Sequence, residues 1–419
     1  MNFDLDDPTL LFRDDVLSDP RPLYDFLRRE APVWRIPGQD SYVVSDPALV
    51  RDAVARPAEL SSNLVSLLHR GEEGAPEPFG LAPLGDPIHV LATADPPIHT
   101  RQRRFLQPHL NAVAVAPLEP VLREMVETQL APILDAGRGD AVAQLADPVP
   151  ALALCHLAGL PLDEAPRLMA LVADINPLLD GLSGMASLEK AAVAAATLHA
   201  YAEERLAEAL ARPATERRGL LGVLADGIDA GAITADEVLN VLMQLFTAGT
   251  ETTSGLTANA IELLARRPDL QTGMRSQPER IPGALDDLLR EDGPFQFHYR
   301  WSTVDTTLGA YAIPANRRVL LMWAAANRPA PDGQRDDKDA SDVHYAFGRG
   351  IHFCVGAPLA RLESRIVIET LLARTAKVEL DPDLVLVTIL PPVLYVAALQ
   401  TSWRDFKRNI RPITLLAVP

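Results

Sequence analysis

Cys354 stands in the run Phe347-Gly348-Arg349-Gly350-Ile351-His352-Phe353-Cys354-Val355-Gly356-Ala357-Pro358, a glycine-bracketed loop leading into a helix start. Gly348, Gly350 and Gly356 permit tight backbone angles that residues with a Cβ resist. Pro358 suits the first helical position, where a missing N–H costs nothing. The apolar spacing of Ile366, Ile368, Leu371 and Leu372 continues the segment as a long amphipathic helix. The pattern predicts a sulfur facing free backbone N–H groups at a helix N-terminus, where a thiol is drawn toward thiolate and can ligate a metal. The other cysteine, Cys155, lies in the apolar run Ala151-Leu152-Ala153-Leu154-Cys155 and reads as a small core hydrophobe.

A second constellation is Ala248-Gly249-Thr250-Glu251-Thr252-Thr253, in the middle of a helical pattern over Ala235–Arg267. Glycine inside a helix costs about 1 kcal/mol relative to alanine, so Gly249 asks for a reason. Thr252 can bond back to the carbonyl of Ala248 and bend the helix, which leaves a groove with a hydroxyl and an acid beside it. His99 and Arg103 are four residues apart and share a helix face.

The cysteine loop resembles the haem-binding loop of the cytochrome P450 family, Phe-Gly-x-Gly-x-His-x-Cys-x-Gly, at every fixed position. The central helix resembles that family's Ala/Gly-Gly-x-Asp/Glu-Thr motif, and the similarity runs from about residue 20 to 400. The resemblance implies a mainly α fold with small accessory β-sheets and a b-type haem, iron protoporphyrin IX. It implies that Cys354 is the iron ligand, whose thiolate favours O–O cleavage. His99, Arg103, Arg300 and His352 would meet the haem propionates, because burying carboxylates requires cations or strong donors. Gly249 and Phe347 count with them as cofactor-binding positions. Thr252 would hydrogen-bond dioxygen over the haem, and Glu251 would relay protons from solvent.

Composition sets the outer bounds. At 419 residues, 48% hydrophobic and 23% charged, the chain can bury a large core, and no linker or repeat divides it, so one domain is expected. A net charge of −17 argues against nucleic acid as a partner. Two cysteines exclude a disulfide framework and suit a reducing cytoplasm. The acidic, proline-interrupted start gives no signal peptide or membrane anchor. Positive charge gathers in Arg101, Arg103 and Arg104 and in Arg349, Arg361 and Arg365. By resemblance, both clusters border the face where an acidic ferredoxin-type electron donor docks.

The elements that must position these groups are mostly helical. Strands are predicted at Val33–Ile36 and Tyr42–Val44 across a Pro-Gly turn, and again at Thr306–Leu308, Val319–Leu321 and near Val393–Leu399. Helical spacing covers Leu118–Leu130, Leu188–Ala211, Ala235–Arg267 and Gly283–Arg290. The stretch Ser61–Ala94 has no clear period and reads as a long functional loop. Two departures from the family stand out. Asp287 occupies the glutamate position of the Glu-x-x-Arg pair with Arg290, and is expected to be largely buried against the haem loop. The connection from Asn327-Arg328-Pro329 to Phe347 is short and aspartate-rich, with Arg335 the nearest substitute for the arginine that completes the acid–arginine network.

These residues support a haem-thiolate monooxygenase that inserts one oxygen atom into a lipophilic or aromatic small molecule. A peroxide-driven peroxygenase and a non-catalytic haem-binding recruitment protein are the alternatives. By resemblance the substrate pocket draws on Ser61–Leu84, Met169–Met185, Met243, Gln244, Thr247, Phe295–His298 and Pro391–Val396, with Gln296 and His298 as polar handles.

Overall fold

The computed structural model describes residues 2–71, 73–80, 88–176, 185–329 and 344–380. The longer helices are α1 (Arg21–Glu30), α2 (Pro47–Ala55), α3 (Ile98–Leu110), α4 (Glu119–Ala136), α5 (Pro148–Ala158), α6 (Ala165–Ile175) and α7 (Met185–Ala211). They continue as α8 (Gly219–Asp229), α9 (Ala235–Arg266), α10 (Pro268–Ser276), α11 (Ile281–Asp292) and α12 (Ala357–Arg374). The expected mainly helical fold with small sheets is what the chain adopts.

The central helix α9 begins at a capping box. Thr234 Oγ1 accepts from the Glu237 N–H at 3.2 Å, and the Glu237 carboxylate accepts from the Thr234 N–H at 2.9 Å. The same carboxylate accepts from Gln102 Nε2 at 2.9 Å and pairs with Arg101, so the start of α9 is bound to α3. Along its length α9 packs against α5, α6, α7, α11 and α12. Leu154, Phe246, Leu256, Ile261, Leu285, Ile366 and Val367 meet there in the largest buried cluster.

The strands are β1 (Val33–Arg35), β2 (Ser41–Val44), β3 (Leu60–Ser61), β4 (Ser66–Arg70), β5 (Pro76–Gly80), β6 (His298–Ser302), β7 (Thr306–Leu308), β8 (Tyr311–Ile313) and β9 (Arg318–Leu321). A five-stranded sheet runs β1-β2-β9-β6-β3, with β2 and β9 parallel and in register at Tyr42↔Val319. β4 and β5 form a hairpin, as do β7 and β8.

The β4–β5 hairpin corrects the expectation of an unpatterned loop over Ser61–Ala94. Leu67 pairs with Phe79 and Leu68 with Pro78. Buried Arg318 donates to Ser41 Oγ at 2.7 Å and also to Ser66 Oγ, while Tyr299 Oη accepts from the Leu68 N–H at 3.2 Å. The hairpin is thus held by side chains far away in sequence. The strand expected near Val393–Leu399, the Pro391–Val396 pocket segment and Arg335 lie outside the described residues.

Candidate functional site

The loop from Phe347 to Ala357 presents Cys354. Gly348 and Gly350 adopt φ of +67° and +72°, the left-handed region in which a Cβ is strained. A Cβ on Gly350 would also stand 3.3 Å from the Val54 carbonyl of α2. Gly356 needs no such freedom, because at φ −86° it is the ordinary N-cap of α12. A Cβ there would lie 3.9 Å from Cys354 Sγ, an ordinary contact distance. The Cys354 N–H closes the loop on the Phe347 carbonyl at 2.9 Å, and Arg103 Nη1 reaches from α3 to the Phe353 carbonyl at 2.6 Å.

Cys354 is exposed, yet enough protein surrounds it that burial pushes its thiol up in the metal-free chain. The backbone N–H groups of Gly356 and Ala357 and the cations Arg103 and Arg361 pull the other way. The expectation that the helix start alone favours thiolate is corrected. Desolvation and the helix start act in opposite directions on this thiol, and desolvation is the larger.

Around the cysteine loop lies a collection of cations and imidazoles, with Asp95 among them. Arg300 on β6 is 3% exposed and donates to the Tyr299 carbonyl at 2.7 Å and to His298 Nδ1 at 2.7 Å. Burial lowers its pKa to about 10, with Asp95 opposing the shift. The rings of His99 and His352 are 4.3 Å apart. His352 Nε2 shares a hydrogen bond of 2.9 Å with Ser62 Oγ, and its pKa is pushed down to about 3 by burial, Arg300 and His99. Asp95 is engaged by Ser61 Oγ and, at 2.9 Å, by the Ser62 N–H. His99 Nδ1 and His352 Nδ1 are buried with no hydrogen-bond partner among the described residues. Such groups are costly unless a partner arrives. An anion with several acceptor oxygens would satisfy them, and the two carboxylates of a haem have that chemistry. The residues fit the group.

On α9, Thr252 Oγ1 donates to the Ala248 carbonyl at 2.6 Å, and Thr250 and Thr247 make the same bond to Phe246 (2.8 Å) and Met243 (2.9 Å). Three such bonds in succession loosen the helix locally. The reason for Gly249 is packing: a Cβ there would stand 3.1 Å from Leu154 Cδ1, so its absence lets α5 approach. Glu251 is exposed and accepts a hydrogen bond from Asn176 Nδ2, at the C-terminus of α6. Nothing local marks Asn176, which lies 75 residues from its partner.

Support on the cysteine side differs from expectation. Asp287 and Arg290 do approach to 3.5 Å, but the Asp287 side chain is 74% exposed. The acid that faces inward is Asp286. It accepts from Arg361 Nε of α12 at 2.9 Å and lies 3.4 Å from His344 Nε2. Burial works against its charge, but His344 and Arg361 prevail and hold the carboxyl below its ordinary value. Arg361 also stacks over Phe347, 4.5 Å from the ring centroid.

The expected basic patch is largely spent. Arg101 pairs with Glu237, Arg361 with Asp286, and Arg365 with Glu119 and, at 3.0 Å, with Glu369. Arg349 stacks on Tyr345 at 5.4 Å, whereas Arg104 is exposed. The polar handles are also engaged: Gln296 accepts from Tyr24 Oη and His298 holds Arg300, while the pocket residue Gln244 accepts from the Ala92 N–H at 3.2 Å.

No protein-family model matches the chain. Cytochrome P450 144 of Mycobacterium tuberculosis is 36% identical over 378 residues, covering 89% of this chain and 86% of that protein. The chain belongs to the cytochrome P450 family. Beta-dihydromenaquinone-9 omega-hydroxylase of the same species is 31% identical over 372 residues, 87% of this P450 and 72% of the relative. The solved structure of a P450 EryK mutant in complex with erythromycin B superposes with a TM-score of 0.73 at 27% identity, over 88% of this P450 and 91% of that chain. This P450 is accordingly a monooxygenase by family, and no helix among its described residues is long and apolar enough to cross a membrane.

Proposed function

We propose that this P450 inserts one atom of dioxygen into a C–H or C=C bond of a lipophilic or aromatic small molecule. Iron protoporphyrin IX would be its cofactor, with electrons coming from NAD(P)H through a ferredoxin reductase and a ferredoxin. The observation that carries the reading is the pairing of a bare Cys354 sulfur with an edge of Arg103, Arg300, His99 and His352 in which both histidines keep a buried, unpartnered Nδ1 among the described residues. Cys354 would ligate the iron, and those four would hold the propionates. Bound there, the haem would supply dioxygen activation.

The chain's own residues handle protons and shape. Thr252 gives its proton to the Ala248 carbonyl, which leaves its oxygen as an acceptor for an incoming O–H. Glu251, exposed on α9, would exchange protons with water and pass them inward. Because Gln244, Gln296 and His298 are committed to structure, recognition falls to apolar contact by residues such as Met243. A substrate class of this kind accords with a relative that is a beta-dihydromenaquinone-9 omega-hydroxylase and a structural neighbour bound to erythromycin B. The acid–threonine pair favours dioxygen over peroxide as the oxidant.

The test is the spectrum of the reduced protein with carbon monoxide, followed by a Soret-shift screen against lipophilic compounds and product analysis with a surrogate ferredoxin system. A thiolate-type spectrum and oxygen-dependent product support the reading. A spectrum of another ligand, or product formed from peroxide alone, overturns it.

A further inference from the structure

Glu251 is held by a neutral amide. Asn176 caps the C-terminus of α6, its N–H bonded to the Val172 carbonyl at 2.9 Å, and α6 packs on both α7 and α9. The side chain is 9% exposed. Only its Nδ2 can donate to a carboxylate, so the Glu251 contact fixes which way the amide faces. That orientation leaves Asn176 Oδ1 buried without a hydrogen-bond partner among the described residues.

Two opposing terms meet in this one side chain. A hydrogen bond to a carboxylate is among the stronger ones a neutral group can make, while a stranded buried acceptor costs a comparable amount. The contact is therefore close to balanced. A strong hold would pin Glu251 away from the groove, and no hold would leave its carboxylate free in water. A nearly neutral hold keeps the acid seated beside α6 and still lets it leave.

We propose that Asn176 is the positioning residue for Glu251, a balanced amide that seats the proton-relay carboxylate without trapping it. The proposal rests on the reading of Glu251 as the relay acid. Asn176→Leu keeps the branched shape and removes both the donor and the stranded acceptor, and its extra bulk is read by the Tm and haem content. Asn176→Asp replaces the donor by a second carboxylate and should drive Glu251 away.

The experiment follows dioxygen consumption with a surrogate ferredoxin pair, in H2O and in D2O, together with haem content, reduced–carbon monoxide spectrum and Tm. Glu251→Gln should turn over about tenfold more slowly or worse, with a larger solvent isotope effect, since proton transfer by a placed group contributes at least that much. Asn176→Leu should be slower by about three- to tenfold with the same growth in isotope effect, and Asn176→Asp slower still. In the Glu251→Gln background, Asn176→Leu should add nothing, because it acts only through Glu251. Tm and haem content of Asn176→Leu should match the parent. If Glu251→Gln is slow but Asn176→Leu is normal, or if Asn176→Leu slows both backgrounds equally or loses haem and stability, the positioning role is overturned. If Glu251→Gln itself turns over normally, it is the relay reading of Glu251 that fails.

Discussion

The two sides of the site are built in opposite ways. On the cysteine side, many contacts converge: Arg103 on the Phe353 carbonyl, Arg361 on Asp286 and Phe347, and the Cys354 N–H on Phe347. On the threonine side, Glu251 is exposed and its hydrogen bond among the described residues is to a single amide, while three threonine hydroxyls loosen α9. A ligand that must stay put is over-determined, and a group that must move protons is left adjustable. The difference says that rigidity here is allotted by task rather than spread evenly.

The largest expected effect breaks the rigid side at its centre. Cys354→Ser should abolish the thiolate-type carbon monoxide spectrum altogether, because a serine hydroxyl stays protonated where burial already disfavours the thiolate. Retention of that spectrum would remove Cys354 from the iron.

On the adjustable side, Thr252→Ala should keep haem content and Tm near those of the parent. Electrons should be diverted to peroxide, with product per NADH falling about tenfold. Unchanged coupling would show that the acceptor oxygen of Thr252 is not used.

Next come the neighbouring aspartates, which sharpen what over-determination means. Asp286→Ala strands Arg361 and buried His344, and should lower Tm by about 2–5 °C with loss of haem retention. Asp287→Ala, at an exposed side chain, should shift Tm by less than about 1 °C. The reverse order would restore Asp287 as the inward acid.

Glu363 on α12 gives a pH test of the same side. Its carboxyl is 2% exposed, Oε2 has no partner among the described residues, and burial raises its pKa well above the ordinary value. A raised acid binds more protons folded than unfolded, so its contribution is full below about pH 4 and is lost as pH climbs toward the folded value. Glu363→Gln should therefore gain Tm relative to the parent as pH rises from about 5 to 8. A difference that does not change with pH would place Glu363 in contact with an unrecognised cation.

The smallest effect concerns the donor. Arg104→Glu should slow reduction by an acidic ferredoxin a few-fold at low salt, and hardly at all above about 0.3 M, where screening is complete within a few ångströms. A slower rate independent of salt would move the docking face elsewhere.

The cysteine loop and the Ala248–Thr252 motif were legible because their chemistry fixes residue types at short spacing. The central helix was legible from its apolar period, to within a residue at its end. What could not be read depended on neighbours distant along the chain. The β4–β5 hairpin carries prolines at 76 and 78 opposite Arg70 and Leu68, which hides a strand pattern, and it is secured by Arg318 and Tyr299. Whether Asp286 or Asp287 turns inward is decided by where α12 puts Arg361. The pairing of Asn176 with Glu251 has no local trace at all.

Gly249 and Leu154 carry a last consequence. Since a methyl group at 249 would press on Leu154 from 3.1 Å, the spacing between α5 and α9 is set at this contact. Residue 154 is then a remote adjustment screw. Trimming it to valine would relieve the contact that holds α5 and α9 at their present distance.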